Sequence, residues 1–339
     1  CVVISDGATY AEQVTVRNFT NNGSSITIFT DPAVGFKATV SPPAASTAAF
    51  LIANASVNIQ GIYVLSNQNV PYGVWASSSY VTISSVVITT VGNSGIYTAG
   101  VRISSWSAIS YSSVTVWGAD GIWLDGSTKT VVSYSSATAS RNVIYMTAAS
   151  SNTIQGCTLR QNPYTRGAYA ISLATSNLNW IDLTSATAYS GMYVVGSSSN
   201  DITRSVFQGN GLPATLANFP NGIKFYNSSY NNIDLSTFTG SFQGYYSSGT
   251  VRNTINRSYI RGITDGAAWI DSSSHYNQIS LSTFVGPFGI YYGQGGPASS
   301  NTISSSLLIS SVWSAYSLDG SGGEVTNNVV DRSSMITTS

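Results

Sequence analysis

Charge is scarce in this sequence. Thirteen basic and 13 acidic residues make up only 8% of 339 and cancel to zero net charge, against about a quarter charged in an ordinary globular chain. Without a field of one sign, nothing draws the chain to a phosphate backbone or an anionic bilayer, so nucleic acid is not an expected partner. Thiols and imidazoles are nearly missing too, with two Cys and one His. No zinc spacing, phosphate loop, nucleophile elbow or EF-hand pattern can be written, and no cofactor or metal is expected. Apolar runs nowhere reach the ~20 residues of a membrane span, and long stretches of good helix formers are lacking. Disorder is excluded by 42% hydrophobic and 12% aromatic residues, because disordered chains combine low hydrophobicity with high net charge.

What remains is Ser, Thr, Asn, Gly and Tyr set among Val and Ile, a mixture that favours short strands and turns. It repeats. An Asn, any residue, then Ile or Val recurs at Asn152, Asn179, Asn200, Asn231, Asn253, Asn277, Asn301 and Asn327, with steps from 21 (179 to 200) to 31 (200 to 231) residues. Upstream the same frame runs without Asn at Val57, Val81, Ser107 and Thr130. Between these marks falls a second series, including Gly73-Val-Trp75, Gly100-Val-Arg102, Gly121-Ile-Trp123, Gly191-Met-Tyr193, Gly222-Ile-Lys224 and Gly289-Ile-Tyr291. Short alternating strands at such a period make the coils of a solenoid, with the variable lengths in turns.

From about residue 50 onward the two series resemble the right-handed parallel β-helix repeat family, the pectate-lyase-like solenoids. The opening stretch Val2–Val16 is similar to that family's first coils. The "SSNTI" and "GIYY" texture is also similar to long repetitive β-helix surface proteins of bacteria. The expected fold is therefore all-β, a right-handed parallel β-helix of about 12 coils without an obvious capping helix. It is expected as one domain over 1–339, with opening coils in 1–50 and regular repeats in 51–339. The resemblance also implies what an enzyme of this kind would need: a base beside the substrate, often with Ca²⁺ held by carboxylates, or a hydrolase's grouped Asp residues.

Alternation assigns the faces. Ile154, Ile202, Ile233, Ile255, Ile279 and Ile303 share an inward row, and three positions on comes a small residue such as Ser112, Cys157, Ser205 or Ser236. Cys157 reads as a small buried hydrophobe in that row. It lies about 25 Å from Cys1 at ~4.8 Å per coil, beyond disulfide reach. The Asn series reads as a structural ladder at a turn, since Asn tolerates left-handed backbone and its amide can bond to copies above and below. An outward row in the second series runs Trp75, Arg102, Trp123, Tyr145, Ser172, Tyr193, Lys224, Tyr246, Trp269, Tyr291. Such a stripe suits cross-coil stacking, protein packing or sugar rings.

The catalytic candidates are few. Asp182 and Asp234 fall in one outward row with Thr203 between them, Asp201 in a nearby row, and Arg160, Arg166, Arg204 and Lys224 in the same third of the chain. His275 precedes the Asn277 turn and reads as an exposed loop residue. Sequons at Asn18, Asn22, Asn54, Asn227 and Asn256 are expected by chance in this composition. Cys1 marks a processed terminus or an excision point.

The leading expectation is thus an extracellular or cell-surface structural or adhesive solenoid. It would self-associate end to end or laterally, or form a segment of a larger surface protein. A β-helix polysaccharide lyase or glycoside hydrolase, or a non-catalytic glycan-binding module, stands as the alternative.

Overall fold

The computed structural model describes the chain except residues 20–23, 36, 78–79, 93–94, 105, 163–166, 212–218, 272, 294–295, 320–323 and 339. Asn22 and Arg166 therefore lie outside the described residues. The expected fold class stands: an all-β parallel solenoid of about 13 turns. The chain divides into two compact units, Cys1–Thr165 and Arg166–Ser339.

Three parallel sheets run through each unit. In the first unit the sheet that follows the Asn frame includes Tyr80–Ser84, Ala108–Ser110, Val131–Ser133 and Thr153–Gln155, paired in register. We call it the asparagine sheet. A second sheet stacks Tyr63–Ser66, Val87–Thr90, Ser113–Val116, Ser136–Ala139 and Thr158–Gln161. The third, the aromatic sheet, stacks Val70–Ser77, Ile96–Ile103, Asp120–Asp125 and Ile144–Thr147. Early in this unit one 13-residue strand, Ala48–Gln60, serves both the aromatic and the asparagine sheets, bending at Asn54 where φ is 51°.

The second unit repeats the plan. Its asparagine sheet aligns Ile181, Ile202, Ile233, Ile255, Ile279 and Ile303, each at most 2% exposed. Its second sheet points Phe207 and Phe238 inward, stacked with ring centroids 5.4 Å apart. Residues that alternate along each strand thus form continuous apolar rows, close-packed at the coil spacing. Where the second sheet turns into the aromatic sheet the backbone closes tightly. A Cβ on Gly240 would lie 1.8 Å from the Gln243 carbonyl oxygen, so only glycine fits there.

The corners are dry, and buried side chains satisfy their backbone groups. Asn200, Asn231, Asn253 and Asn277 are buried. Each accepts on its side-chain oxygen from the backbone N–H of the ladder Asn one coil before, and Asn200, Asn231 and Asn253 accept from that residue's side-chain amide as well, as Asn231 does from Asn200 at 3.0 Å for both bonds. Each also donates to a backbone carbonyl, as Asn231 does to Ser197 O at 3.2 Å. In the first unit Asn152 accepts from Thr130 N at 2.8 Å and Ser127 Oγ at 2.9 Å.

Two details correct the sequence reading. The last rung is Asn328, which accepts from Asn301 at 2.9 and 3.0 Å; Asn327 is exposed, because register sets Ile303 against Val330. The left-handed residue is the one before each ladder Asn, as at Leu178, Ser199, Tyr230, Arg252, Tyr276, Ser300 and Asn327, with φ between 55° and 58°. The ladder Asn is chosen for its amide and not for its backbone.

The small-residue corner works the same way. Ser205 N donates to Ser236 Oγ at 3.2 Å, Ser236 N to Ser258 at 3.2 Å and Ser258 N to Ser282 at 3.1 Å. Cys157 sits in that corner of the first unit, 2% exposed, its Sγ 3.4 Å from Gln155 O, and burial pushes its pKa up. It and Cys1 are both free thiols.

Asn231→Ala would strand the amide of Asn200 and the Ser197 carbonyl in a dry corner. We expect it to lower stability by about 3 kcal/mol, and Asn327→Ala by less than about 1 kcal/mol. Urea unfolding of the two variants beside the parent measures both; equal losses would contradict the register assigned here.

Candidate functional site

The carboxylates named from sequence do not form a cluster. Asp182, Thr203 and Asp234 do share an outward row of the asparagine sheet. Asp182, however, is fully buried and held by Arg204 of the next coil through a two-pronged pair, with Nε to Oδ1 at 2.8 Å, and by Thr203 Oγ1 at 2.8 Å. Asp234 is held likewise by Arg257, Nε to Oδ1 at 2.9 Å, and by Asn256 at 3.1 Å. Asp201 is exposed in the other outward row, against Trp180 and Asn232. Lys224 lies on a different sheet, the aromatic one, between Tyr193 and Tyr246. Two acids already neutralised by arginine and a lysine on another face do not make a general acid–base pair. Arg257 was missed from sequence, although its signal was present: an Asp ending one strand and an Arg just past the equivalent strand of the next coil.

The stripe residues do come into register, though half-buried and not fully exposed, and Ser172 is buried. In the first unit Trp75, Arg102, Trp123 and Tyr145 align on consecutive coils. The Arg102 guanidinium lies 4.4 Å from the Trp123 ring centroid and 5.7 Å from Trp75. It donates to Tyr72 OH at 2.9 Å and pairs with Asp125. Asp125 also accepts from Thr147 Oγ1 at 2.9 Å, and Thr147 accepts from Trp123 Nε1 at 2.9 Å. Trp123 stacks on Tyr145 with centroids 5.8 Å apart. The polar ends of Tyr72, Arg102, Trp123, Asp125 and Thr147 thus meet one another. Beside it Asp120, 2% exposed, accepts from Asn142 N at 2.9 Å and faces Arg141 at 3.8 Å. Burial pushes its pKa up more than Arg141 and Asn142 hold it down.

In the second unit Ser172, Tyr193, Lys224, Tyr246, Trp269 and Tyr291 align in the equivalent row. Here polar ends are left over. The Lys224 ammonium lies 5.0 Å from the Tyr246 ring centroid and 5.9 Å from Tyr193, and burial lowers its pKa. Trp269 Nε1 is buried without a hydrogen-bond partner among the described residues, its ring 4.5 Å from Tyr291. Tyr246 OH donates to Asp271 at 3.0 Å; burial first, then that carboxylate, pushes its pKa up to about 12. Tyr291 bonds Asp319, and burial with that bond pushes it up to about 12 as well.

Sequence reading also missed a third polar row. Three residues before Asn179, Asn200, Asn231, Asn253 and Asn277 stand the buried hydroxyls of Ser176, Ser197, Ser228, Thr250 and Ser274, bonded along the axis as Ser176 N to Ser197 Oγ at 2.8 Å and Ser197 N to Ser228 Oγ at 3.1 Å. The Ser-x-x-Asn spacing announced it. His275 is half-buried, its Nδ1 2.9 Å from Ser299 Oγ and accepting from Ser299 N at 3.2 Å.

Comparison with known proteins agrees with this architecture. Residues 142–330 match the family described as right handed beta helix region, and residues 12–218 that described as periplasmic copper-binding protein (NosD). No curated protein matches the chain. Among solved structures it is similar to the Dettilon tailspike protein, at 14% identity and a TM-score of 0.58, over 96% of this chain and 62% of that one. The chain thus spans about three fifths of the tailspike's length. It is similar also to the periplasmic alginate epimerase AlgG, at 11% identity and a TM-score of 0.53, over 98% of this chain and 84% of that one. At such identities the likeness shows the fold. No helix is long and apolar enough to cross a membrane.

The second family description raises copper, and the donor set does not fit it. Copper sites draw on imidazole, thiolate and thioether, and the chain has one His, two Cys and three Met. Cys157, Met146 and Met192 are core residues, and His275 has Nδ1 engaged. Among the described residues no three of His, Cys, Asp and Glu come together.

Asp120 supplies a pH test. Its folded pKa is raised, so its contribution to stability is full below the unfolded value and is lost as pH rises through the folded one. Asp120→Asn keeps the bond from Asn142 N without the buried charge. It should gain stability relative to the parent as pH goes from ~4 to ~7, followed by melting temperature; a constant difference would refute the buried-charge account.

Proposed function

The chain belongs to the right-handed β-helix family, and from that premise we propose that it is an exported polysaccharide-binding solenoid. Its aromatic sheet in the second unit is the binding face. The observation that carries this reading is Trp269, whose indole N–H is buried, unbonded and set in a row of half-buried rings. A buried donor left unmade costs the fold ~1–3 kcal/mol. A sugar hydroxyl that reaches it, once the neighbouring rings shift aside, recovers that energy. The equivalent Trp123 N–H of the first unit is already bonded to Thr147, so that stretch of stripe is scaffold.

The ring geometry favours binding through edges. Tyr169 and Tyr193 stack with centroids 4.8 Å apart, which spends ring faces on neighbours and leaves hydroxyl and N–H groups to a ligand. One such group per coil, at ~4.8 Å, is close to the length of one pyranose unit, so a sugar chain lying along the axis meets a new side chain at each ring. An alginate epimerase on the same fold supplies a precedent for a polysaccharide on a β-helix. The epimerase is periplasmic by its description, as is the NosD family, which supports a site of action outside the cytoplasm. The acids held by Arg204 and Arg257 favour binding over cleavage.

This order reverses the one drawn from sequence, where structural assembly led. The reason is physical: the Trp269 indole N–H and the Lys224 ammonium stand in one outward row of one sheet, and self-association has no comparable observation behind it.

Trp269→Phe keeps the ring and removes the N–H. It should weaken polysaccharide retention in affinity electrophoresis by about tenfold, the equivalent of ~1.4 kcal/mol, at unchanged melting temperature. Trp123→Phe should leave retention as it is. If no polysaccharide in a broad panel retards the parent protein, the reading fails.

A further inference from the structure

The stripe holds one cation in each unit, and the two are in opposite states. Arg102 is engaged on every side by Tyr72, Asp125, Trp75 and Trp123. The Lys224 ammonium has no hydrogen bond or ion pair with any described residue, only the rings of Tyr193 and Tyr246. We infer that Lys224 is a charge-reading subsite, which takes the carboxylate of a uronate-type sugar held on the aromatic sheet. The inference rests on the polysaccharide reading above and adds the ligand's charge to it.

Folding does not ask for a charge at this position. A half-buried ammonium between rings loses hydration, which is why burial lowers its pKa, and a ring quadrupole returns only ~0.5–2 kcal/mol. A methionine would fill the same space without that loss. The neighbouring acids cannot serve as the partner, because they are committed elsewhere. Asp271 accepts from Tyr246 OH at 3.0 Å, and Asp319 is bonded by Tyr291. These bonds also hold the tyrosine hydroxyls beside the lysine as fixed polar groups.

An anion from solution completes the set. Around a half-buried ammonium a charge pair is worth more than at an open surface, where exposed pairs contribute ~0–1 kcal/mol. A bare anion has no means of using the rest of the row. A sugar that carries its carboxylate on the ring can, since Tyr246 and Trp269 stand one and two coils from Lys224, about 5 and 10 Å along the axis. The anion would sit over Lys224 while ring hydroxyls of the following units reach Trp269 Nε1.

The test uses two pairs of β-1,4-linked oligosaccharides of equal length: mannuronate against mannose, and glucuronate against glucose. Within a pair the ring stereochemistry is the same, and only the carboxylate differs. Binding to the whole chain is measured by titration calorimetry at low and high salt, for the parent, Lys224→Met and Lys224→Arg. The parent should prefer the acidic member of at least one pair by about tenfold at low salt, with the preference shrinking as salt rises. Lys224→Met should bring the two members within about twofold by lowering the affinity for the acidic one, and Lys224→Arg should keep the preference. Lys224→Met removes a half-buried charge and is expected to fold; a melting curve equal to the parent's verifies this. Should Lys224→Met fail that check, Lys224→Gln takes its place with the same expected loss of preference. A parent that binds neutral and acidic members equally overturns the inference and leaves the polysaccharide reading standing, and so does a preference that survives Lys224→Met. Binding of none of the four overturns both.

Discussion

Everything in this chain depends on how its corners hide backbone amides from water. A coil of about two dozen residues must turn sharply several times, and at each turn N–H and C=O groups leave the ladder of the sheet. Buried Asn and Ser side chains take their place, so that Asn200 N is bonded by Asn231 and Ser205 N by Ser236. Each rung is both donor and acceptor for its neighbours, which makes the corner a continuous polar column in an apolar interior. The turn itself is set by left-handed residues on either side, such as Leu178 before Asn179 and Leu183 before Thr184. That conformation costs ~1–2 kcal/mol for a residue with a Cβ. It is held because the ladder beside it over-determines the backbone.

Corners satisfied from within leave the outward faces free to vary. What varies is whether a polar group on a face finds its partner inside the chain. On the asparagine sheet Asp182 and Asp234 are each closed by an arginine of the following coil. On the aromatic sheet of the first unit Arg102 is closed by Asp125 and Tyr72. These are finished arrangements, and their chemistry is spent on the solenoid. The equivalent row of the second unit is unfinished at Lys224 and Trp269. A scaffold and a site are here made from the same row of the same repeat, and only the state of the hydrogen bonds separates them.

This distinction explains what was legible in the sequence and what was not. Period and alternation are local properties, so the coil, the inward Ile row, the small-residue corner and the aromatic row could all be read from spacing. The Asn327 misassignment came from a doubled Asn, where the motif fits two frames and only the pairing of Ile303 with Val330 decides. The Arg204–Asp182 pair joins side chains 22 residues apart that sit on opposite sides of a corner. Grouping Asp182 with Lys224 followed chain proximity, which in a solenoid says nothing about which sheet a residue occupies. Exposure was over-read as well. Rings one coil apart shield each other, so an outward row of aromatics becomes half-buried by its own packing.

That self-packing bears on how such a row could bind anything. Rings stacked along the axis cannot also offer their faces to a ligand, and a stripe built only of Phe would be inert once stacked. Tyr and Trp carry a polar atom at the ring edge, and stacking fixes that edge in position. The entropy of ordering the side chains is then lost on folding and not on binding. Cross-coil stacking and ligand binding are therefore successive uses of one row: the faces hold the sheet together, and the edges, spaced by the coil and interrupted by one uncompensated lysine, are what a sugar chain would meet.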